Sequence, residues 1–200
     1  HGSALNIGAN ITHAQRFHQL GFSVFLISYR GYGKSDGTFP TEAQVYADAQ
    51  AAWTYLIEQK GIDPKAIFIY GHSIGGAVAI QLALNNPAAG GLIVEAAFTS
   101  IADMARRIPK YRIFPLELIV HERFDSIEKV SRLQPPVLYI HGTDDKLVPS
   151  EMSSELYKRT ASSKQLKLIP GGGHNNSAAV GGDEYLQAVK NFIDFARKAI

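Results

Sequence analysis

The hydrophobic residues of this chain occur in two patterns, short continuous runs and longer stretches with helical spacing. Short runs rich in aliphatic and aromatic side chains predict strands that are buried on both faces of a sheet. Five such runs occur, at residues 22–27, 66–70, 92–97, 137–140 and 166–169. Helical spacing and stop signals predict helices between them. These cover residues 9–20, 41–60, 75–84 and 150–160, and a closing helix that carries residues 185–196.

Strands and helices therefore alternate along the chain. This order is typical of an α/β fold with a doubly wound, mostly parallel sheet and helices on both faces. A length of 200 residues suits a single domain, residues 1–200, with a sizeable core. In such sheets, ligands bind at the edge formed by the carboxyl ends of the strands.

Three local patterns refine this plan. Thr41 and Gln44 have the spacing of a capping box, so we expect a helix to begin there. Ser150 is predicted to be the N-cap of its helix. Residues 98–132 mix apolar side chains with Arg and Lys without a clean period, which predicts a small lid of short helices over the edge of the sheet. Residues 125–133 are expected to end this segment with a helical turn or two.

A serine stands at the junction between the run at 66–70 and the helix that follows it. The sequence Gly71-His72-Ser73-Ile74-Gly75 has the G-x-S-x-G pattern of a nucleophile elbow. Alone, this pattern is also met in ordinary Gly/Ser turns. Between a buried strand and a helix it predicts a sharp, strained turn that lifts the Ser73 hydroxyl above the sheet.

A serine nucleophile needs a base, and the base needs an acid that holds its tautomer. His174 is the best base because it follows three glycines in the loop after the last predicted strand. His72 is expected to point away from Ser73. For the acid, Asp144 and Asp145 both follow the strand at 137–140, and one of them can serve in ordinary turn chemistry. Glu95 is a third and less favoured candidate.

The negative charge that develops on a substrate oxygen needs two backbone donors near the elbow. One is predicted to be the N–H of Ile74, the residue after the nucleophile. The other is expected from the opening segment His1-Gly2-Ser3, with Ser3, or Ser3 together with Ala4, as the donor.

Composition excludes several classes of function. The net charge of +2 is spread along the chain, which gives no case for nucleic-acid binding. One small basic cluster at 106–112 is expected to be a solvated face, with an anionic substrate or a membrane surface as the alternative. Without cysteine there is no disulfide, thiol nucleophile or cysteine metal site, and no His/Asp spacing predicts another metal site. No apolar run approaches the length of a transmembrane helix.

Four ordered motifs, His1-Gly2, the elbow, His141-Gly142-Thr143-Asp144-Asp145 and Gly173-His174-Asn175, resemble the α/β-hydrolase superfamily over the whole length of the chain. The lid and the opening resemble the subgroup related to serine aminopeptidases and monoacylglycerol lipases. The resemblance implies that the acid is Asp145, that the partner is a small acyl substrate and that no cofactor is needed.

The chain departs from this family at its start. The family places about three strands before the His-Gly loop, and the third of these is central to the sheet. We therefore expect the chain to be incomplete, with the strands supplied by residues before His1 or by a separate fragment. Members of the subgroup often carry an N-terminal membrane segment, so membrane association is expected only through such residues.

Three hypotheses follow for function. The leading one is a serine hydrolase that cleaves an ester, thioester or amide through an acyl-enzyme, with Ser73, His174 and Asp145 as its triad. The alternatives are acyl transfer to another acceptor with the same residues, and a non-catalytic binding protein on the same fold. Apolar lid residues are candidates for substrate contact, with core packing an equal alternative: Met104, Ile108, Phe114, Leu118 and Ile119.

Overall fold

Four parallel strands form one sheet in the computed structural model, which describes residues 11–38, 40–109, 116 and 120–199. Their order in the sheet, β1-β2-β3-β4, is their order in the chain, and the register places Tyr70 opposite Ile93 and Val94 opposite Tyr139. The doubly wound parallel architecture expected from the sequence is confirmed. The strands are β1 (Phe68–His72), β2 (Gly91–Glu95), β3 (Val137–Gly142) and β4 (Lys164–Ile169).

Seven α-helices surround or follow these strands in the described part of the chain. Thr41 caps α2 as expected: its side chain accepts from the Gln44 N–H, and the Gln44 side chain accepts from the Thr41 N–H. A π-helical segment, Tyr55–Gln59, continues α2, and 3₁₀ turns cover Pro64–Ala66 and Val130–Arg132. The helices are α1 (Ile11–Gln19), α2 (Glu42–Thr54), α3 (Ile74–Asn85), α4 (Ile101–Arg106), α5 (Ser126–Lys129), α6 (Ser150–Arg159) and α7 (Ser177–Ala199), the last broken at Gly182.

The alternation of side chains along each strand divides the core into two layers. On one face, Val94 and Tyr139 pack with Ile80 of α3 and Leu156 of α6. On the other face, Ile93, Leu138 and Ile140 pack with α7 through the apolar side that the sequence predicted: Tyr185, Val189, Phe192, Ile193 and Ala196. Because both faces are covered, the strands β2 and β3 are buried along their whole length.

The strand expected at residues 22–27 does not form. This segment has no regular secondary structure, and no backbone hydrogen bond joins residues 23–28 to another described segment. A groove of about 730 Å³, lined on one side by residues 22–27 and on the other by β1, separates it from the sheet. The groove lies between this segment and β1, and the two do not pair. That a further strand belongs to the complete fold stays a prediction.

Two other expectations have different outcomes. Ser150 is the first residue of α6 rather than its N-cap, because Pro149 occupies the cap position and makes no side-chain bond there. The turns expected at 125–133 are confirmed as α5 and a 3₁₀ turn. Much of the expected lid, residues 110–115 and 117–119, lies outside the described residues. Among the described residues, none of the helices has the length and apolar character needed to cross a membrane.

Candidate active site

Ser73 occupies a strained turn between β1 and α3. Its φ of 56° and ψ of −125° lie outside the regions that residues with a Cβ ordinarily adopt. The turn is held by the Ser73 N–H, which donates to the Glu95 carbonyl at the end of β2 at 2.9 Å. Ser73 therefore stands at the carboxyl edge of the sheet, where the sequence placed it.

The glycines around Ser73 are required by close contacts. A Cβ on Gly71 would lie 2.1 Å from the carbonyl oxygen of Gly75, and a Cβ on Gly76 would lie 2.9 Å from the Cβ of Ala97. In the first contact the added Cβ would meet a main-chain oxygen of α3, which cannot move aside without opening the turn. Gly71 of the G-x-S-x-G pattern thus permits β1 and α3 to pack directly against each other, and Gly76, the next residue after the pattern, permits α3 to approach Ala97.

A chain of hydrogen bonds runs from Ser73 through His174 to Asp145. The Ser73 Oγ lies 3.0 Å from His174 Nε2, and His174 Nδ1 lies 2.7 Å from Asp145 Oδ2. Because an ionised carboxylate only accepts, Nδ1 carries the hydrogen, and Nε2 of the neutral ring is left to accept the Ser73 proton. The structure thus brings together residues that are distant in the sequence, because Asp145 lies 29 positions and Ser73 lies 101 positions before His174.

Asp145 is surrounded by donors and is 7% exposed. Its Oδ1 accepts from the backbone N–H groups of Leu147 at 2.9 Å and Val148 at 2.8 Å. Its Oδ2 accepts from His141 at 3.1 Å in addition to His174. Burial raises the pKa of Asp145, but the hydrogen bonds from His141, His174 and Val148 outweigh it and hold the pKa below its usual value. The carboxylate is therefore ionised at neutral pH.

His141 is a residue whose part in the site the sequence analysis did not recognise. It is completely buried, and its Nε2 donates to both Asp145 and the Val148 carbonyl, the latter at 2.8 Å. Its Nδ1 then accepts from the Ser153 hydroxyl at 2.6 Å, which fixes the tautomer. The signal was its place in the His-Gly pair that ends β3, four positions before Asp145.

The loops that carry Asp145 and His174 touch each other through glycines. A Cβ on Gly142 would lie 2.2 Å from the carbonyl oxygen of Gly172. That carbonyl accepts from the Asp144 N–H at 2.8 Å. Asp144 therefore joins the two loops through its main chain, while Asp145 is the neighbour that reaches His174.

Two further candidates have other partners. The Glu95 carboxylate, which is 2% exposed, accepts from the hydroxyls of Tyr70 and Tyr185 at 2.7 Å each. The Glu95 carboxylate is thus hydrogen-bonded to these two tyrosines and not to His174. His72 does not point away from the chemistry as expected, because its Nε2 donates to the backbone carbonyl of His174 at 2.8 Å. The imidazole therefore lies against the main chain of His174.

The remaining site predictions are only partly within the described residues. Ile74 is the first residue of α3, so its N–H has no acceptor within the helix. Met104 is half-buried and packs against the same apolar cluster as Ile74, whereas Ile108 is 45% exposed. Ser3, Phe114, Leu118 and Ile119 lie outside the described residues. No group of three His, Asp or Glu side chains that could hold a metal occurs in the part of the chain that the structure describes.

Comparison with known proteins gives consistent matches. Protein bem46 of Schizosaccharomyces pombe is 39% identical over 204 aligned positions, which cover 96% of this chain and 65% of bem46. An uncharacterized protein of Mycobacterium tuberculosis is 37% identical over 180 positions, covering 90% of this chain and 63% of that protein. The chain thus spans less than two thirds of the length of these relatives. A monoacylglycerol lipase structure from Paleococcus ferrophilus has the same fold, with a TM-score of 0.72, 22% identity, and coverage of 98% of this chain and 92% of the lipase.

A sequence profile extends these pairwise matches to a family. The profile described as serine aminopeptidase, S33, matches residues 1–124 and 119–176, which together make up most of the chain. The relatives and the common fold agree with this match. The chain therefore belongs to the serine aminopeptidase S33 family of α/β hydrolases.

Proposed function

We propose that this protein is a serine hydrolase that cleaves a carboxylic ester, thioester or amide through an acyl-enzyme. The observation that carries the proposal is the continuous hydrogen-bonded chain from the strained Ser73 through His174 to the ionised Asp145. A serine hydroxyl becomes a useful nucleophile when a base accepts its proton. Membership of a hydrolase family and a fold shared with a monoacylglycerol lipase support the same reaction class.

In the first half of the reaction, His174 Nε2 takes the Ser73 proton while Oγ forms a bond to the substrate carbonyl carbon. The resulting imidazolium keeps its Nδ1–H on Asp145, whose negative charge stabilises it. Collapse of the tetrahedral intermediate breaks the bond to the leaving group, which receives the proton from Nε2. The acyl group then remains on Ser73 as an ester.

In the second half, His174 removes a proton from water, whose oxygen attacks the acyl carbon. Collapse returns the proton to Ser73 Oγ and releases the carboxylic acid. The N–H of Ile74, at the positive end of α3, is the proposed donor to the oxyanion in both halves. The other donor is proposed to be the N–H of Ser3. Met104 and Ile108, with Phe114 and Leu118, are proposed contacts for the acyl group.

The test is covalent labelling with a fluorophosphonate, followed by intact-mass measurement. Such probes react only with an activated serine, so one adduct is expected on the wild type and none on Ser73→Ala. Ser154→Ala, which removes a hydroxyl from the outer helix α6, serves as the matched control and is expected to react as the wild type does. A series of nitrophenyl esters of increasing acyl length would then rank the substrates.

Absence of an adduct on a folded wild type, judged by circular dichroism, would contradict the proposed function. An adduct that persists on Ser73→Ala would contradict the assignment of the nucleophile. Hydrolysis and acyl transfer are separated by product analysis, because an added alcohol that captures the whole acyl group would favour transfer over hydrolysis.

A further inference from the structure

His174 follows three consecutive glycines, so the position of its main chain must be set by contacts. Upstream of it, the Gly172 carbonyl accepts from Asp144, and the Gly173 N–H donates to Asn176 at 2.6 Å. At His174 itself, the backbone carbonyl accepts from His72 Nε2 at 2.8 Å. This last contact ties the main chain of His174 directly to the end of β1.

His72 is well suited to hold that carbonyl. It is the last residue of β1, paired in register with Glu95 of β2, and only 6% of it is exposed. Its ring centroid lies 5.0 Å from that of His174, with the two planes inclined at 54°. The donor is thus fixed by a strand on one side and by packing against the His174 ring on the other.

Adjacent residues therefore contact the same histidine at two points. Ser73 meets the imidazole at Nε2, and His72 meets the backbone carbonyl. Because the two contacts arise from consecutive residues of one turn, a shift of the glycine-rich loop relative to the nucleophile must stretch the His72 bond. The end of β1 therefore sets the distance between Ser73 and His174.

The hydrogen-bond chemistry agrees with this function. A carbonyl oxygen only accepts, so Nε2 of His72 carries the hydrogen. Burial lowers the pKa of His72, against the opposing charge of Glu95, and His174 and His13 also face it. The neutral ring with its hydrogen on Nε2 supplies the one donor that the carbonyl requires.

We propose that His72 is a positioning residue, which holds the main chain of His174 at the distance from Ser73 that proton transfer needs. This inference rests on the proposed hydrolase function. His72 acts through His174 and is not itself in contact with the reacting atoms.

Three substitutions separate hydrogen bonding from packing. His72→Gln keeps an N–H donor at about the place of Nε2, His72→Asn keeps a donor that is one methylene too short, and His72→Leu has no donor. Since a misplacement of about 1 Å can cost about 10²-fold in rate, we expect His72→Leu to lose 10- to 100-fold in kcat. KM should change by less than about 3-fold, because the acyl-binding surface is untouched. His72→Gln should recover to within about 3-fold of the wild type, with His72→Asn closer to the Leu variant.

A second readout does not depend on activity. The Nδ1–H of His174, donated to Asp145 at 2.7 Å, should give a low-field proton NMR signal. We expect this signal to shift or broaden in His72→Leu and to be retained in His72→Gln. His18→Leu, the same change at an exposed histidine of α1, is the matched control and should alter neither readout. Thermal unfolding of every variant checks that it is folded, and His72→Asn carries the comparison if the Leu variant does not fold.

Two results would overturn the inference. One is a folded His72→Leu variant with the kcat and the proton signal of the wild type. The other is a His72→Gln variant that loses as much as His72→Leu, because packing and not hydrogen bonding would then be responsible. Failure of the wild type to react with the fluorophosphonate would instead count against the hydrolase function, while the NMR comparison would still show whether His72 positions His174.

Discussion

Gly142 lies where the end of β3 meets the loop that carries His174, and its replacement by alanine tests how closely these two segments must approach. The added Cβ would stand 2.2 Å from the carbonyl oxygen of Gly172 and 2.8 Å from the hydroxyl of Ser177. The carbonyl belongs to the main chain, so it cannot turn aside as a flexible side chain could. The two loops must separate instead.

The size of the effect follows from the contact distance. Ordinary van der Waals contact begins at 3.4 Å, so relief of a 2.2 Å contact needs a movement of about 1.2 Å. Overpacking of this kind costs about 1–3 kcal/mol of the free energy of unfolding. The movement also pulls His174 away from Asp145 and Ser73. A displacement of about 1 Å is expected to lower the rate by about 10²-fold.

The assay combines urea unfolding with the second-order rate of fluorophosphonate labelling. Gly171→Ala is the matched control, because it stands in the same loop but would meet no atom within 4 Å. Its φ of 71° makes alanine unfavourable there, at a cost of about 1–2 kcal/mol. The control should thus lose stability with little change in labelling, whereas Gly142→Ala should lose both.

Wild-type labelling by a folded Gly142→Ala protein would refute this reasoning, because it would mean that the loops can separate without moving His174 from Ser73. Equal losses of labelling in the two variants would refute it as well. In that case general destabilisation of the loop, rather than the Gly142–Gly172 contact, would control the site.

Three further predictions concern the charges in and below the site. Asp145→Asn should lower the fluorophosphonate labelling rate by about 10³- to 10⁴-fold with the fold intact, because an amide does not hold the His174 tautomer or stabilise the imidazolium; a variant that labels at the wild-type rate would contradict it. Tyr185→Phe removes one of the two tyrosine donors to the buried Glu95 and should lower the free energy of unfolding in urea by about 1.5–3 kcal/mol. A decrease of less than about 0.5 kcal/mol would contradict this prediction. Burial lowers the pKa of His13 from 6.5 to about 4, so the folded state binds fewer protons than the unfolded state between these values, and the stability present above pH 6.5 is lost as the pH falls through this window. His13 should account for about 3 kcal/mol of this loss between pH 7 and pH 4, so His13→Gln should lose that much less than the wild type, measured by urea unfolding at each pH; equal pH dependence in both proteins would contradict it.

Sequence patterns that depend on consecutive residues were reliable in this protein. The Thr41–Gln44 capping box, the turn at Ser73 and the apolar side of α7 are each formed within a few residues. The hydrogen bonds and the spacing of apolar residues in these features involve neighbouring residues, so the sequence alone is enough to predict them. Ser150 is the exception, because Pro149 and not Ser150 is the N-cap of α6.

Patterns that depend on distant partners were less reliable. The run at 22–27 has the apolar character of a strand, but a strand also needs neighbouring strands whose N–H and C=O groups it can pair with. Across the groove it has none among the described residues. Apolar character predicted a strand buried on both faces, but Val24 and Phe25 are 38% and 50% exposed.

The sequence by itself determined the α/β architecture, the place of Ser73 at a strand end and the order of its candidate partners. The tertiary structure decided that Asp145 and not Asp144 reaches His174, that His141 orients this carboxylate, and that His72 binds the His174 backbone. Adjacent aspartates have nearly identical sequence surroundings, and the partner of His72 lies 102 residues away. Which atoms meet at that distance depends on how the strand ends pack in three dimensions, because the loops that bring them together are positioned by the sheet and not by their own sequence.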